Sequence, residues 1–187
     1  DVEGLRLRLG GRTYFGQNDL WRMEGFGAFG FKDQKFKYGL SAKVLVSKKN
    51  RKILFGGHRK DIEQTGASLT NSKDVLGRNR ASSGLITVGA NDRLTSIELT
   101  TLGYQMEPVK NFTFRVLGSH RTLKSASETF SLSYYDQNGD IKSTLKQSEL
   151  ELGINYTPGR KTSGYGVERR VINGGDFPSF FLGYTFG

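Results

Sequence analysis

Lys35-Phe36-Lys37-Tyr38-Gly39-Leu40-Ser41-Ala42-Lys43-Val44-Leu45-Val46 is the stretch from which the fold is read. Phe36, Tyr38, Leu40, Ala42, Val44 and Val46 share one parity. Lys35, Lys37, Gly39, Ser41 and Lys43 share the other, with Leu45 the single apolar exception. A period of two puts these sets on opposite faces of a β-strand. The run outlasts the ~5–6 residues of an ordinary soluble strand and reaches the ~9–11 of a bilayer-crossing strand.

The pattern recurs along the chain. Leu5, Leu7 and Leu9 alternate with Gly4, Arg6 and Arg8; Trp21, Met23, Gly25, Gly27, Phe29 and Phe31 alternate with Arg22, Glu24, Phe26, Ala28 and Gly30. Ile97, Leu99 and Thr101 alternate with Glu98 and Thr100, and Phe112, Phe114 and Val116 with Thr113 and Arg115. Leu150, Leu152, Ile154 and Tyr156 alternate with Glu149, Glu151, Gly153 and Asn155, and Phe180, Leu182, Tyr184 and Phe186 with Phe181, Gly183 and Thr185. Residues 52–66 read as a further strand with weaker alternation, and 129–135 as an extra one before the Gln137-Asn138-Gly139-Asp140 turn. No helical period is found.

Asp33-Gln34 and Pro108-Val109-Lys110 read as tight turns, whereas 67–90, 125–144 and 158–176 are long and polar. Short turns at one end and long loops at the other are the habit of outer-membrane barrels. In lipid every backbone polar group must be paired, so a β protein spans only as a closed barrel. The fold expected is therefore an all-β antiparallel transmembrane β-barrel of about eight strands, or a segment of a larger one, with residues 1–187 forming one domain or contiguous segment. The rival is a soluble barrel or sandwich with its apolar face packed inward. Arginines opposite leucines along long strands favour a wall that is apolar outside and polar inside.

Composition narrows the function. The 187 residues contain no Cys, which excludes disulfide scaffolds, thiol nucleophiles and iron–sulfur sites. Thirteen Phe and eight Tyr are too many for a disordered basic tail. No apolar run reaches the ~18 residues of a transmembrane helix. Glycines inside apolar runs, as in Gly25-Phe26-Gly27-Ala28-Phe29-Gly30-Phe31, mark curved sheet or close backbone approach. The net charge of +10 raises nucleic-acid binding. Yet the basic residues are spread along the chain, and the densest cluster, Ser47-Lys48-Lys49-Asn50-Arg51-Lys52, reads as a hairpin turn.

Two stretches carry a resemblance: Val2-Glu3-Gly4-Leu5-Arg6-Leu7, and the run from Phe29-Gly30-Phe31-Lys32-Asp33-Gln34 through Lys35-Phe36-Lys37-Tyr38-Gly39-Leu40. Ser148–Gly159 and Asp176–Tyr184 extend it. Together they resemble the barrel of Bacteroidetes-type outer-membrane proteins of unknown function that carry an N-terminal carboxypeptidase-regulatory-like domain. Those barrels are distantly similar to BamA-type surface-antigen barrels. The resemblance implies a bacterial outer-membrane location, no enzymatic activity and strands continuing beyond Gly187. The regulatory-like domain itself has no counterpart in these residues, and the start at Asp1 reads as a processed chain or a segment.

Site residues follow from parity. Phe36, Tyr38, Leu40, Val44, Leu150, Leu152, Leu182 and Tyr184 are expected to face lipid. Arg6, Arg8, Arg22, Lys35, Lys37, Lys43, Arg115, Glu149 and Glu151 are expected to face the lumen. Arg78, Arg80, Arg169 and Arg170 are candidates for lipopolysaccharide phosphates. His58, with Asp61, and His120, beside Ser119, are the bases that a hydrolase would use, though no recognisable motif surrounds either. Asp136-Gln137-Asn138-Gly139-Asp140 superficially resembles a calcium loop. Its twelfth position is Gln147 rather than a bidentate acid, so a hairpin turn accounts for it better. No catalytic residue, cofactor or metal is assigned.

The function expected is thus an integral outer-membrane barrel protein, a component of envelope biogenesis or of an outer-membrane complex. Its expected partners are outer-membrane lipid and lipopolysaccharide, with further barrel strands or subunits. The alternatives are a small complete barrel acting as a pore or binding module, an outer-membrane hydrolase using His58 or His120, and a basic soluble barrel that binds nucleic acid.

Overall fold

The computed structural model describes residues 3–64, 75–76, 94–126, 130–173 and 177–187. In chain order the strands are β1 (Arg6–Arg12), β2 (Trp21–Gly30), β3 (Phe36–Ser47), β4 (Lys52–Gln64), β5 (Leu94–Val109) and β6 (Phe112–Ser125). They continue with β7 (Tyr134–Tyr135), β8 (Ile141–Lys142), β9 (Thr144–Tyr156), β10 (Thr162–Ser163), β11 (Arg170–Val171) and β12 (Phe180–Phe186). Eight of them form one antiparallel sheet in the order β1-β2-β3-β4-β5-β6-β9-β12, with β7–β8 and β10–β11 as separate small hairpins. No helix occurs among the described residues. The extra strand read at 129–135 is thus reduced to Tyr134–Tyr135, one arm of the β7–β8 hairpin, with residue 129 outside the described residues. The second tight turn lies at Lys110–Asn111, after an irregularity in the β5–β6 ladder between Met106 and Val109.

The sheet is not closed. Along the described residues β1 pairs only with β2 and β12 only with β9, and no ladder joins these edges.

The sheet curls strongly. Arg6 on β1 pairs with Asp61 on β4 at 3.0 Å. Three strand spacings separate them, roughly 14 Å along a flat sheet. Side chains stand roughly perpendicular to a sheet, so such a pair meets only when the sheet bends toward it. The face carrying Arg6 and Asp61 is therefore concave. Arg8, Arg22, Phe26, Ala28, Lys37, Leu45, Ile53 and Arg59 share that face through the ladder registers, and most of them are buried.

Gly39 and Gly57 make room on this face. A Cβ on Gly39 would meet the Phe26 ring and lie 2.6 Å from the Val75 carbonyl oxygen, and one on Gly57 would lie 2.7 Å from Val75 Cγ1. Val75 packs there with Ile97, Leu99 and Leu123.

Two sequence readings are corrected. Ile97 and Leu99 share a parity with Thr101, Gly103 and Glu107, and this parity is concave, leaving Ile97 and Leu99 fully buried. Glu98 and Thr100 are the outward, exposed residues there. Strands of 13 to 16 residues outrun an apolar band, and in their far halves the polar residues turn outward. The loop assignment also changes. In a meander, successive connections alternate between ends. The 158–176 connection therefore starts and returns on the side of the 48–51 and 110–111 turns, opposite the side from which the two long connections leave β4 and β6; residues 67–74, 77–90, 127–129 and 174–176 of these loops lie outside the described ones. The Asp33-Gln34 turn shares the end of those two long connections.

Candidate functional site: the concave polar face and its cover

The concave face is built from paired charges. Lys37 Nζ contacts Glu3 Oε1 at 2.5 Å and Asp33 Oδ2 at 2.7 Å. Arg6 bridges Glu3 at 3.3 Å and Asp61 at 3.0 Å. Arg59 lies 2.6 Å from Glu63, with both side chains fully buried. Arg121 donates to Gln147 at 2.6 Å and to Glu149 at 3.3 Å. Arg8 places its guanidinium 3.7 Å above the Phe26 ring and donates to the Leu76 carbonyl at 2.6 Å. Burying a charge costs several kcal/mol unless it is paired, so these pairs make a polar interior affordable.

The segment 157–173 folds back across one end of this face. Val167 packs with Leu45 and Ile53, and its N–H donates to the Asp19 carbonyl at 2.7 Å. Glu168 pairs with the buried Arg22. Arg51 donates to the carbonyls of Gly166 at 2.9 Å and Val167 at 3.2 Å. Asn111 Nδ2 donates to the Arg160 carbonyl at 2.9 Å. The segment thus ties the start of β2 to the turn before β6, spanning the curl. It borders an open-mouthed cavity of about 380 Å³, lined by Arg51, Glu107, Arg115, Glu151, Arg160 and Arg169 among others. Burial pushes the Arg51 guanidinium below its ordinary pKa; Arg169 adds to this, Glu107 opposes it and Arg160 adds a little more.

The sequence-derived residues fall as follows. Phe36, Tyr38, Leu40, Val44, Leu150, Leu182 and Tyr184 are exposed, and Leu152 is half-buried on the same convex face. Arg6, Arg8, Arg22, Lys37, Lys43, Glu149 and Glu151 lie on the concave side, as does the more exposed Arg115. Lys35 is different. It precedes β3 in an exposed turn, where its N–H donates to Asp33. Arg169 pairs with Glu107 and Arg170 is exposed, while Arg78 and Arg80 lie outside the described residues.

The histidine pairings do not form. His58 and Asp61 have opposite parity on β4, so the strand itself separates them. His58 meets Thr100 at 2.9 Å and Glu98 at 3.8 Å on the convex face. His120 meets Ser148 at 2.8 Å, not its neighbour Ser119. In the acidic turn, Asp136 Oδ1 accepts the N–H groups of Asn138 and Asp140, both at 2.9 Å, and Gly139 takes φ +82. That carboxylate is spent on a turn.

Two features escaped the sequence reading. One is the cavity, because residues 51, 107, 115 and 160 meet only through the curl and the folded-back segment. The other is a pair of aromatic rows on the convex face. Trp21, Phe112, Tyr156 and Phe180 stand at strand ends on the side of the sheet that holds the 48–51 and 110–111 turns, with Tyr156 6.4 Å from Phe112 and 6.5 Å from Phe180. Phe29, Phe36 and Tyr38, and Tyr184 with Phe186, stand toward the other end. Aromatics at the first or last position of successive strands were the available signal. Comparison with protein-family models, curated proteins and solved structures gives no match.

Proposed function

We propose that this chain forms wall strands of an integral outer-membrane β-barrel, apolar toward lipid and polar toward the lumen. The observation that carries the reading is the burial of charged side chains on one face while large apolar side chains are exposed on the other. Arg59, Glu63 and Asp61 stand with Ile97, Leu99 and Leu123 among the largest fully buried side chains, while Leu40, Leu54, Leu102, Leu182 and the aromatic rows other than the half-buried Phe112 are exposed. A soluble protein mostly buries large apolar side chains and solvates charged ones. The eight steps from Trp21 to Phe29 cover roughly 27 Å of strand at ~3.4 Å each. Tilted by ~40°, this is roughly 20 Å, close to the ~25 Å apolar band flanked by aromatic girdles in such barrels.

The open edges at β1 and β12 fit a wall that further strands or a partner subunit complete, since hydrocarbon does not tolerate unpaired backbone. The short turns at 48–51 and 110–111 orient that end toward the periplasm. The convex face is not uniformly apolar: His58, Thr100 and His120 lie in one ladder row with Leu40. A role in envelope biogenesis or an outer-membrane complex rests on the sequence resemblance to BamA-like barrels.

The test is cysteine scanning in liposomes with a water-soluble thiol reagent. Cysteines at Leu40, Leu54 and Leu182 should be protected, and those at Lys49 and Asn138, in exposed turns, labelled. Equal labelling of all five would return the chain to the soluble class.

A further inference from the structure

We propose that the cavity beneath segment 157–173 is a binding site for a phosphate-type oxyanion, held by Arg51, Arg160 and Arg169. The inference rests on the concave face and not on the membrane reading.

The charge count at the site is unbalanced. Arg51, Arg115, Arg160 and Arg169 line the cavity, against the carboxylates of Glu107 and Glu151. Glu107 is already crowded. It pairs with Arg169, lies 3.6 Å from Arg51 Nε, and accepts the Asn111 N–H at 2.7 Å. Arg160 Nε is buried and has no hydrogen-bond partner among the described residues. Arg115 is placed over the Phe55 ring at 4.8 Å. Several guanidiniums gathered around one shared carboxylate repel one another; the Arg51 pKa is lowered first by burial, with Arg169 and Arg160 adding to it. A bound dianion removes that repulsion.

Guanidinium forks match the oxygens of phosphate bidentately and cannot lose their charge, so the class is an oxyanion rather than a metal ion or a neutral sugar. Thr113, Asn155 and Thr162 add hydroxyl and amide groups to the lining. At about 380 Å³ the space admits a small phosphomonoester as well as free phosphate. The adjoining opening carries Lys48, Lys49 and Lys110, a basic rim that raises the local concentration of anions.

The test is calorimetric titration of the whole purified chain in phosphate-free buffer at fixed ionic strength, with inorganic phosphate in one arm and glycerol 3-phosphate in the other. Saturable binding of either is expected below about 1 mM. Tighter binding of glycerol 3-phosphate assigns a phosphomonoester, and equal or weaker binding assigns free phosphate. Arg160→Gln should weaken binding about tenfold or more, the loss of one charge-assisted pair. Where Arg160→Gln does not fold, Arg160→Lys is read instead. It keeps the charge and loses the fork, and should also bind more weakly. No saturable heat in either arm, or unchanged affinity in the folded variant, overturns the site.

Discussion

Arg6 on the first strand and Asp61 on the fourth form an ion pair at 3.0 Å, although β2 and β3 lie between them. Asp61 is fully buried and Arg6 nearly so. The pair measures the curl of the sheet and helps to hold it. Asp61→Ala leaves the Arg6 guanidinium with Glu3 as its carboxylate among the described residues, and should destabilise the fold by about 3 kcal/mol. Arg6→Met with Asp61→Leu should cost less than the single change. Denaturant titration of both variants checks this, and additive losses would show that the two residues are not coupled.

The exposed surface should tolerate charge unevenly. Leu40 is 49% exposed on the convex face, and Asn138 is exposed in the β7–β8 turn, outside the eight-stranded sheet. If the convex face lies in hydrocarbon, Leu40→Lys should cost ~2–4 kcal/mol of folding into bilayers. Asn138→Lys should stay within about 0.5 kcal/mol. In a soluble sheet both changes would be near neutral, so liposome refolding yields separate the cases.

Gly39 is required by close approach. Gly39→Ala drives a Cβ against Phe26 and the Val75 carbonyl, and should cost about 1–3 kcal/mol. Gly118→Ala is the control, because the nearest atom to its Cβ would be the Leu102 oxygen at 3.6 Å. Equal stabilities of the two variants would remove Val75 from the concave face.

The β7–β8 turn should be acid-sensitive. The backbone N–H of Asp140 is the largest cause holding the Asp136 carboxyl below its ordinary pKa, and Asn138, Lys142 and Gly139 add to it. With the folded value depressed, the contribution is complete above the unfolded value and is lost as pH falls through the folded one. Amide exchange at Asn138 and Asp140, corrected for intrinsic rates, should therefore lose protection below about pH 4. Asp136→Asn should flatten that dependence, and an unchanged profile would exclude the carboxylate as the cause.

The sequence by itself determined which residues share a face. A period of two is local, so the parity of Phe36 through Val46, the long strands and the all-β antiparallel class could be read from side-chain order alone. The same holds for the Asp136–Asp140 turn, whose bonds join near neighbours. Parity does not say which face is concave at a given height, so Ile97 and Leu99 read like Leu150 and Leu152 but point the other way. Nor does it say at which end a connection lies, which depends on how many strands precede it. That count put both ends of the 158–176 connection on the short-turn side. The cavity was least legible of all. Arg51, Glu107 and Arg160 are distant in sequence, and only the curl of the sheet and the fold-back of 157–173 bring their charges together.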